Sequence, residues 1–146
     1  MEQRISVLTI GADNLPAMKE FYEQTFDWKP VAENKDIIFY KLNGFLFSIC
    51  KRKEMAEFIG INPEGNGFRS VTFGYNVNTT EEVKELYIKL KSNGVKIIKE
   101  PTEPPFGGLF FYVEDIEGNI FEIAYNPFVT LDKDNNIVDH KPINHL

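Results

Sequence analysis

Two hydrophobic rhythms alternate along the chain: a period of two, which marks strands, and a spacing of three to four, which marks helices. RISVLTI (4–10) reads as a strand. It leads into GADNLPAMKEFYEQTF (11–26), where Asn14 suits a helix cap and Pro16 the first turn. Leu15, Met18, Phe21, Tyr22 and Phe26 approximate one apolar stripe along that helix. DIIFYKLNGFLFSICKR (36–52) then reads as two strands around a turn at Asn43 and Gly44.

After the break INPEGNG (61–67) the same order returns. FRSVTFGYNV (68–77) is a strand, and TTEEVKELYIKLKSNG (79–94) is the clearest helix in the chain. Thr79 and Glu82 form a capping box, Val83, Leu86, Tyr87 and Leu90 form the stripe, and Gly94 stops it. VKIIKE (95–100) is a short strand, and GLFFYVEDIEGNIFEIAYN (108–126) is a hairpin turning near Glu117, Gly118 and Asn119. The two halves share an offset of about 65 residues, which lays Asp13 and Asn14 on Asn78 and Thr79. An α+β protein of two tandem modules, about 1–60 and 66–128 within one domain 1–128, follows from this order. Residues 129–146 read as a polar extension with a turn at Asp134 to Asn136 and room for one short strand.

One stretch does not fit simple patterning. In EGNIFEIAYNP (117–127), Ile120, Glu122 and Ala124 fall on one face, so a carboxylate sits mid-strand among apolar neighbours. Such a residue either faces a pocket with partners or sits solvated at an open rim.

The residues also resemble a known family. FYEQTFDW (21–28) resembles the FYxxxLGW run of the glyoxalase/bleomycin resistance/extradiol dioxygenase superfamily. PPFGGLFFYVEDIEGNIFEIAYNP (104–127) resembles that family's second-module ending, and the resemblance spans roughly 4–128. It implies two βαβββ modules curled into a cupped mixed sheet. Enzymatic members hold a divalent metal with His and Glu ligands, on the first and last strand of each module.

Carried onto this sequence, the first-strand ligand positions become Val7 and Thr72, or Ser70 after a two-residue shift. Aligning Gly44 on Gly118 places Ser48 where the second module has Glu122. Only Glu122 keeps a ligand type, and neutral hydroxyls are poor ligands for transition metals. The expectation is therefore no metal and no cofactor, with Glu122 anchoring an apolar cup lined by Thr72, Ser48, Thr9 and Val7. Phe106, in the Pro- and Gly-rich loop EPPFGGL, and Trp28 supply aromatic walls. The resemblance implies a metal-free small-molecule binding protein of the bleomycin-resistance kind, a homodimer taking a cationic or aromatic organic molecule. The alternative is a metal-dependent lyase, isomerase or dioxygenase.

Composition adds a few limits. The net charge of −6 argues against nucleic acid and anionic membranes as partners. Thirteen Phe and six Tyr serve a pocket or an aromatic core equally well. Cys50 is the single cysteine, so no disulfide closes within the chain, and a thiol without a histidine partner reads as a small apolar group. His140 and His145 both fall in the extension, at a spacing that suits no helical ligand pair. No apolar signal region opens the sequence and no run reaches a membrane span, so a cytoplasmic protein is expected.

Overall fold

A computed structural model describes residues 7–60, 62–65 and 71–141, the side chain of Ile59 excepted. The chain divides into two compact units, Met1–Arg69 and Ser70–Leu146. Ser70 and His145 lie outside the described residues.

In the first unit, strand β1 (Val7–Ala12) feeds helix α1 (Leu15–Thr25), followed by β2 (Pro30–Glu33), β3 (Ile37–Lys41), β4 (Leu46–Lys51) and helix α2 (Arg52–Ile59). The sheet order is β1-β4-β3-β2, with β1 parallel to β4 and the other pairs antiparallel. Helix α1 starts as the sequence predicts: the Asn14 side chain accepts from the Ala17 amide at 3.1 Å. Its stripe buries Leu15, Met18 and Tyr22. Tyr22 meets Tyr40 and Phe47 across the sheet, with Trp28 and Phe26 closing the cluster. Tyr22, Tyr40 and Phe47, the fully buried rings among these, each contribute about 1.5–3 kcal/mol. The face formed by Ile38, Tyr40, Phe47 and Ile49 is therefore core, and Ser48 points to the other side.

Strand β2 and helix α2 are absent from the sequence reading. β2 is an edge strand opening on Pro30 with a register shift, and edge placement is where a strand proline is tolerated. α2 has no side-chain cap and buries Ala56 alone among its described side chains, so its periodicity is faint. It packs closely against β1: a Cβ on Gly11 would stand 3.0 Å from the Arg52 Cα and 3.1 Å from the Met55 Cε. The glycine is what lets the helix approach.

The second unit repeats the plan. β5 (Phe73–Asn76), α3 (Thr80–Ser92), β6 (Lys96–Thr102), β7 (Leu109–Glu114) and β8 (Ile120–Tyr125) form a sheet ordered β5-β8-β7-β6, again with the first and last strands parallel. The capping box is complete: Thr79 accepts from the Glu82 amide at 3.2 Å while Glu82 accepts from the Thr79 amide at 2.9 Å. Val83 and Leu90 of α3 are buried, and Tyr87 meets Phe111 edge-on, so Leu109, Phe111 and Val113 form the core face. Among the described residues, no helix is long and apolar enough to cross a membrane.

The extension carries two strands rather than one, β9 (Val129–Leu131) and β10 (Ile137–His140), paired as a hairpin. Its turn duplicates the β7–β8 turn. Asp115 accepts from the amides of Glu117 and Asn119 and from the Asn119 side chain; Asp132 accepts from the amides of Asp134 and Asn136 and from the Asn136 side chain. The fourth residue is left-handed in both, Gly118 at φ 80° and Asn135 at φ 61°. Asn135 recovers the cost of that conformation through its side chain, which accepts from Asn78 at 2.8 Å.

Two outcomes follow for stability. Gly108 has φ 94°, and a Cβ there would stand 2.4 Å from the Tyr125 carbonyl oxygen, whereas a Cβ on Gly118 would meet nothing within 4 Å. Gly118→Ala is expected to cost about 1–2 kcal/mol from conformation alone, and Gly108→Ala clearly more; urea denaturation of both variants checks the order. Burial pushes the Tyr40 hydroxyl up to about 12 from 10.0, with the Glu23 and Glu33 charges adding to it. A raised folded-state value means that this stabilisation is complete below about pH 10 and is lost as pH rises toward 12. Tyrosinate absorbance should therefore show late titration in the folded protein, and Tyr40→Phe should reduce it by one tyrosine's share.

Candidate functional site

Each unit leaves one sheet face not packed by its long helix, and on each the middle strand carries a polar residue. In the first unit this is Ser48 on β4. Register places Thr9 of β1 on one side of it and Phe39 of β3 on the other. The Thr9 and Ser48 hydroxyls are 2.6 Å apart. Ser48 is fully buried and Thr9 is exposed. Val7 stands one row away, opposite Leu46, and is 44% exposed. Cys50 is half-buried opposite Gly11; burial, then the Glu54 charge, push its thiol up, which suits an inert group.

In the second unit the polar residue is Glu122 on β8. Its row crosses the sheet from Lys99 on β6, between two register shifts, to Tyr112 on β7, Glu122, then Gly74 on β5. The Tyr112 hydroxyl donates to Glu122 Oε2 at 2.9 Å. Burial, then the hydrogen bond to Glu122, push the Tyr112 hydroxyl up, so it stays a donor through the neutral range. Phe110, two residues along, meets Tyr112 edge-on at 5.6 Å, and the Lys99 ammonium lies over the Phe110 ring at 4.7 Å. One row further, Glu114 is held by Lys96. Next to Glu122, Gly74 leaves open space: a Cβ there would meet only the Asn76 side-chain nitrogen, at 3.8 Å.

Glu122 is thus half-buried with a tyrosine partner, neither a lone core charge nor a fully solvated rim residue. Thr72 stands just ahead of β5 and is exposed. The residues set beside Ser48 and Glu122 are Thr9 and Gly74, each two positions on from Val7 and Thr72. Trp28 lies in the aromatic core with Tyr22, Phe26, Tyr40 and Phe47, the face opposite Ser48. Phe106 is 46% exposed and meets Phe128, on which His140 stacks, so the loop and the terminal hairpin share an aromatic contact. The His140 ring nitrogen Nδ1 sits 2.7 Å from the Lys141 carbonyl.

Sequence reasoning singled out neither Tyr112 as the partner of Glu122 nor Lys99 and Gly74. A signal existed for Tyr112. Counting outward from the Asp115–Asn119 turn along both arms sets Tyr112 opposite Glu122.

The donor set bears on metal binding. The Glu122 row offers one carboxylate, a phenol, an ammonium and a glycine; the Ser48 row offers two hydroxyls and a phenyl ring. Among the described residues, no three His, Cys, Asp or Glu side chains gather as a metal-binding group. Neither row fits zinc, nickel, manganese or iron, which need several imidazole, thiolate or carboxylate donors.

Comparison with known proteins places the chain. The description Glyoxalase/Bleomycin resistance protein/Dioxygenase superfamily matches residues 4–123. A glyoxalase-related enzyme from Fulvimarina pelagi is similar in structure, with a TM-score of 0.85 and 33% identity over 95% of this chain and 99% of that one. A glyoxalase/bleomycin resistance protein/dioxygenase from Nocardioides shares the fold at TM-score 0.76 and 17% identity, over 86% of this chain and 84% of that one. A family enzyme from Burkholderia phytofirmans PsJN does so at TM-score 0.72 and 22% identity, over 82% and 96%. No curated protein matches. The repeated βα-strand units, the Asp-to-Asn turn before β8 and the family match over 4–123 agree: this chain belongs to the glyoxalase/bleomycin resistance protein/dioxygenase superfamily.

Proposed function

We propose that this protein binds a small organic molecule without a metal, using Glu122 as its polar anchor. The observation that carries this reading is the state of that carboxylate. Oε2 accepts from Tyr112, while Oε1 has no partner among the described residues and Gly74 leaves room beside it. A half-buried carboxylate oxygen with space next to it accepts a donor group, most strongly a cationic one. Phe110 and Tyr112, edge-on to each other, supply an aromatic wall against which an apolar part of the molecule packs. Sequestration of such a compound needs affinity and no turnover, and asks for no further catalytic group.

A second reading, catalysis, draws support from one observation. The relative from Fulvimarina pelagi is described as a glyoxalase-related enzyme. In this chain Tyr112 and Glu122 form a hydrogen-bonded acid and base at 2.9 Å, and such a pair holds or moves a proton at Glu122 Oε2 without a metal.

Titration with metal-free bleomycin, followed calorimetrically and by recovery of intact compound, separates the two. The binding reading expects saturable binding, full recovery of the compound, and affinity roughly 10- to 100-fold weaker in Glu122→Gln, the range for a lost charge-assisted hydrogen bond. Tyr112→Phe, which loosens the carboxylate without removing it, is expected to weaken binding by a smaller factor. Unchanged affinity in Glu122→Gln overturns the anchor, and steady consumption of the compound favours the enzyme.

A further inference from the structure

We infer that the molecule held at Glu122 is bipolar: a cationic or donor end at the carboxylate, an anionic end at Lys99, and a flat apolar middle over Phe110 and Tyr112. This inference rests on the Glu122 anchor proposed above and adds the chemical class of the ligand. Lys99, Tyr112, Glu122 and Gly74 occupy one row of the sheet, so the basic and acidic residues stand two strands apart, about 10 Å between backbones. The two are not paired with each other: Glu122 accepts from the Tyr112 hydroxyl, and Lys99 turns to a ring. Lys99 forms no ion pair among the described residues; its ammonium rests over the Phe110 ring at 4.7 Å instead.

The adjacent row makes the contrast. Lys96 and Glu114 are paired to each other there, on neighbouring strands, and present no unmatched charge. At the Glu122 row, with Phe110 in the row beside it, the same sheet holds a cation with no ion pair, two rings and a carboxylate oxygen with no partner, among the described residues. A purely cationic ligand would leave Lys99 unanswered, and its ammonium would repel a cation extending across the rings. A purely anionic ligand would meet Glu122 in the same way. A zwitterion with its charges separated by a ring or an equivalent planar spacer answers both ends and covers the aromatic middle. Gly74, beyond Glu122 on the edge strand, gives room for the cationic end to sit beside the carboxylate.

Three matched probes test this: 4-(aminomethyl)benzoate, which carries both charges across a ring, benzylamine, and benzoate. Amide chemical-shift titrations of the full chain report affinity and location together. The expected order is zwitterion tightest, benzylamine weaker, benzoate weakest. Lys99→Gln should weaken the zwitterion about tenfold, to the level of benzylamine, without weakening benzylamine; Glu122→Gln should weaken both. Both side chains reach the surface, and unperturbed amide spectra of the free variants confirm their folds. If Lys99→Gln leaves the zwitterion unaffected while Glu122→Gln weakens both amines, the anchor stands and the bipolar assignment falls. If Glu122→Gln weakens neither amine, or no probe shifts residues of the Glu122 row, the anchor and the assignment fall together.

Discussion

A carboxylate on an inner strand of a four-stranded sheet has its neighbours dictated by backbone hydrogen bonds, at about 4.8 Å to either side. For Glu122 those neighbours are Tyr112 and Gly74: a hydroxyl that donates, and a glycine that leaves open space. A one-residue slip between β7 and β8 would turn Tyr112 to the core face and leave the carboxylate without its donor. The Asp115–Asn119 turn prevents that slip. Its aspartate takes three hydrogen bonds and fixes the point from which the two strands are counted. Turn chemistry, register and the character of the site are therefore one chain of causes.

The first unit shows what the same plan gives with different residues. Ser48 and Thr9 are partnered with each other through a 2.6 Å hydroxyl contact. A closed hydroxyl pair and an open carboxylate occupy equivalent places in two repeats of one topology. Chemistry here follows from which side chains fill the rows, since the backbone is held in common.

Much of the fold was legible because several signals coincided. Asn14 before Pro16, Thr79 with Glu82, and the apolar stripes of α1 and α3 all announced themselves in the sequence, and the structure uses them as caps and core. What stayed hidden lacked local signals. α2 depends on Gly11, far away in sequence, to let it approach β1. The terminal hairpin was half visible through its Asp-to-Asn turn, and its tie from Asn135 to Asn78 spans 57 residues. At the site, Glu122 stood out as a carboxylate among apolar residues and Thr9 was named beside Val7 and Thr72, but no signal pointed to Gly74 as the neighbour of Glu122. Parallel register between distant strands is set by the whole sheet, and no short run encodes it.

On the proposed reading Glu122 serves as an organic anchor and not as a ligand of a working metal centre. Metal content on protein purified without chelator or histidine tag, followed by calorimetric titration of nickel, zinc, manganese and iron(II), tests it most directly. The account predicts substoichiometric metal and no saturable heat, since the single carboxylate of the Glu122 row does not hold these ions. One tightly bound metal per chain, lost on Glu122→Ala, would contradict it.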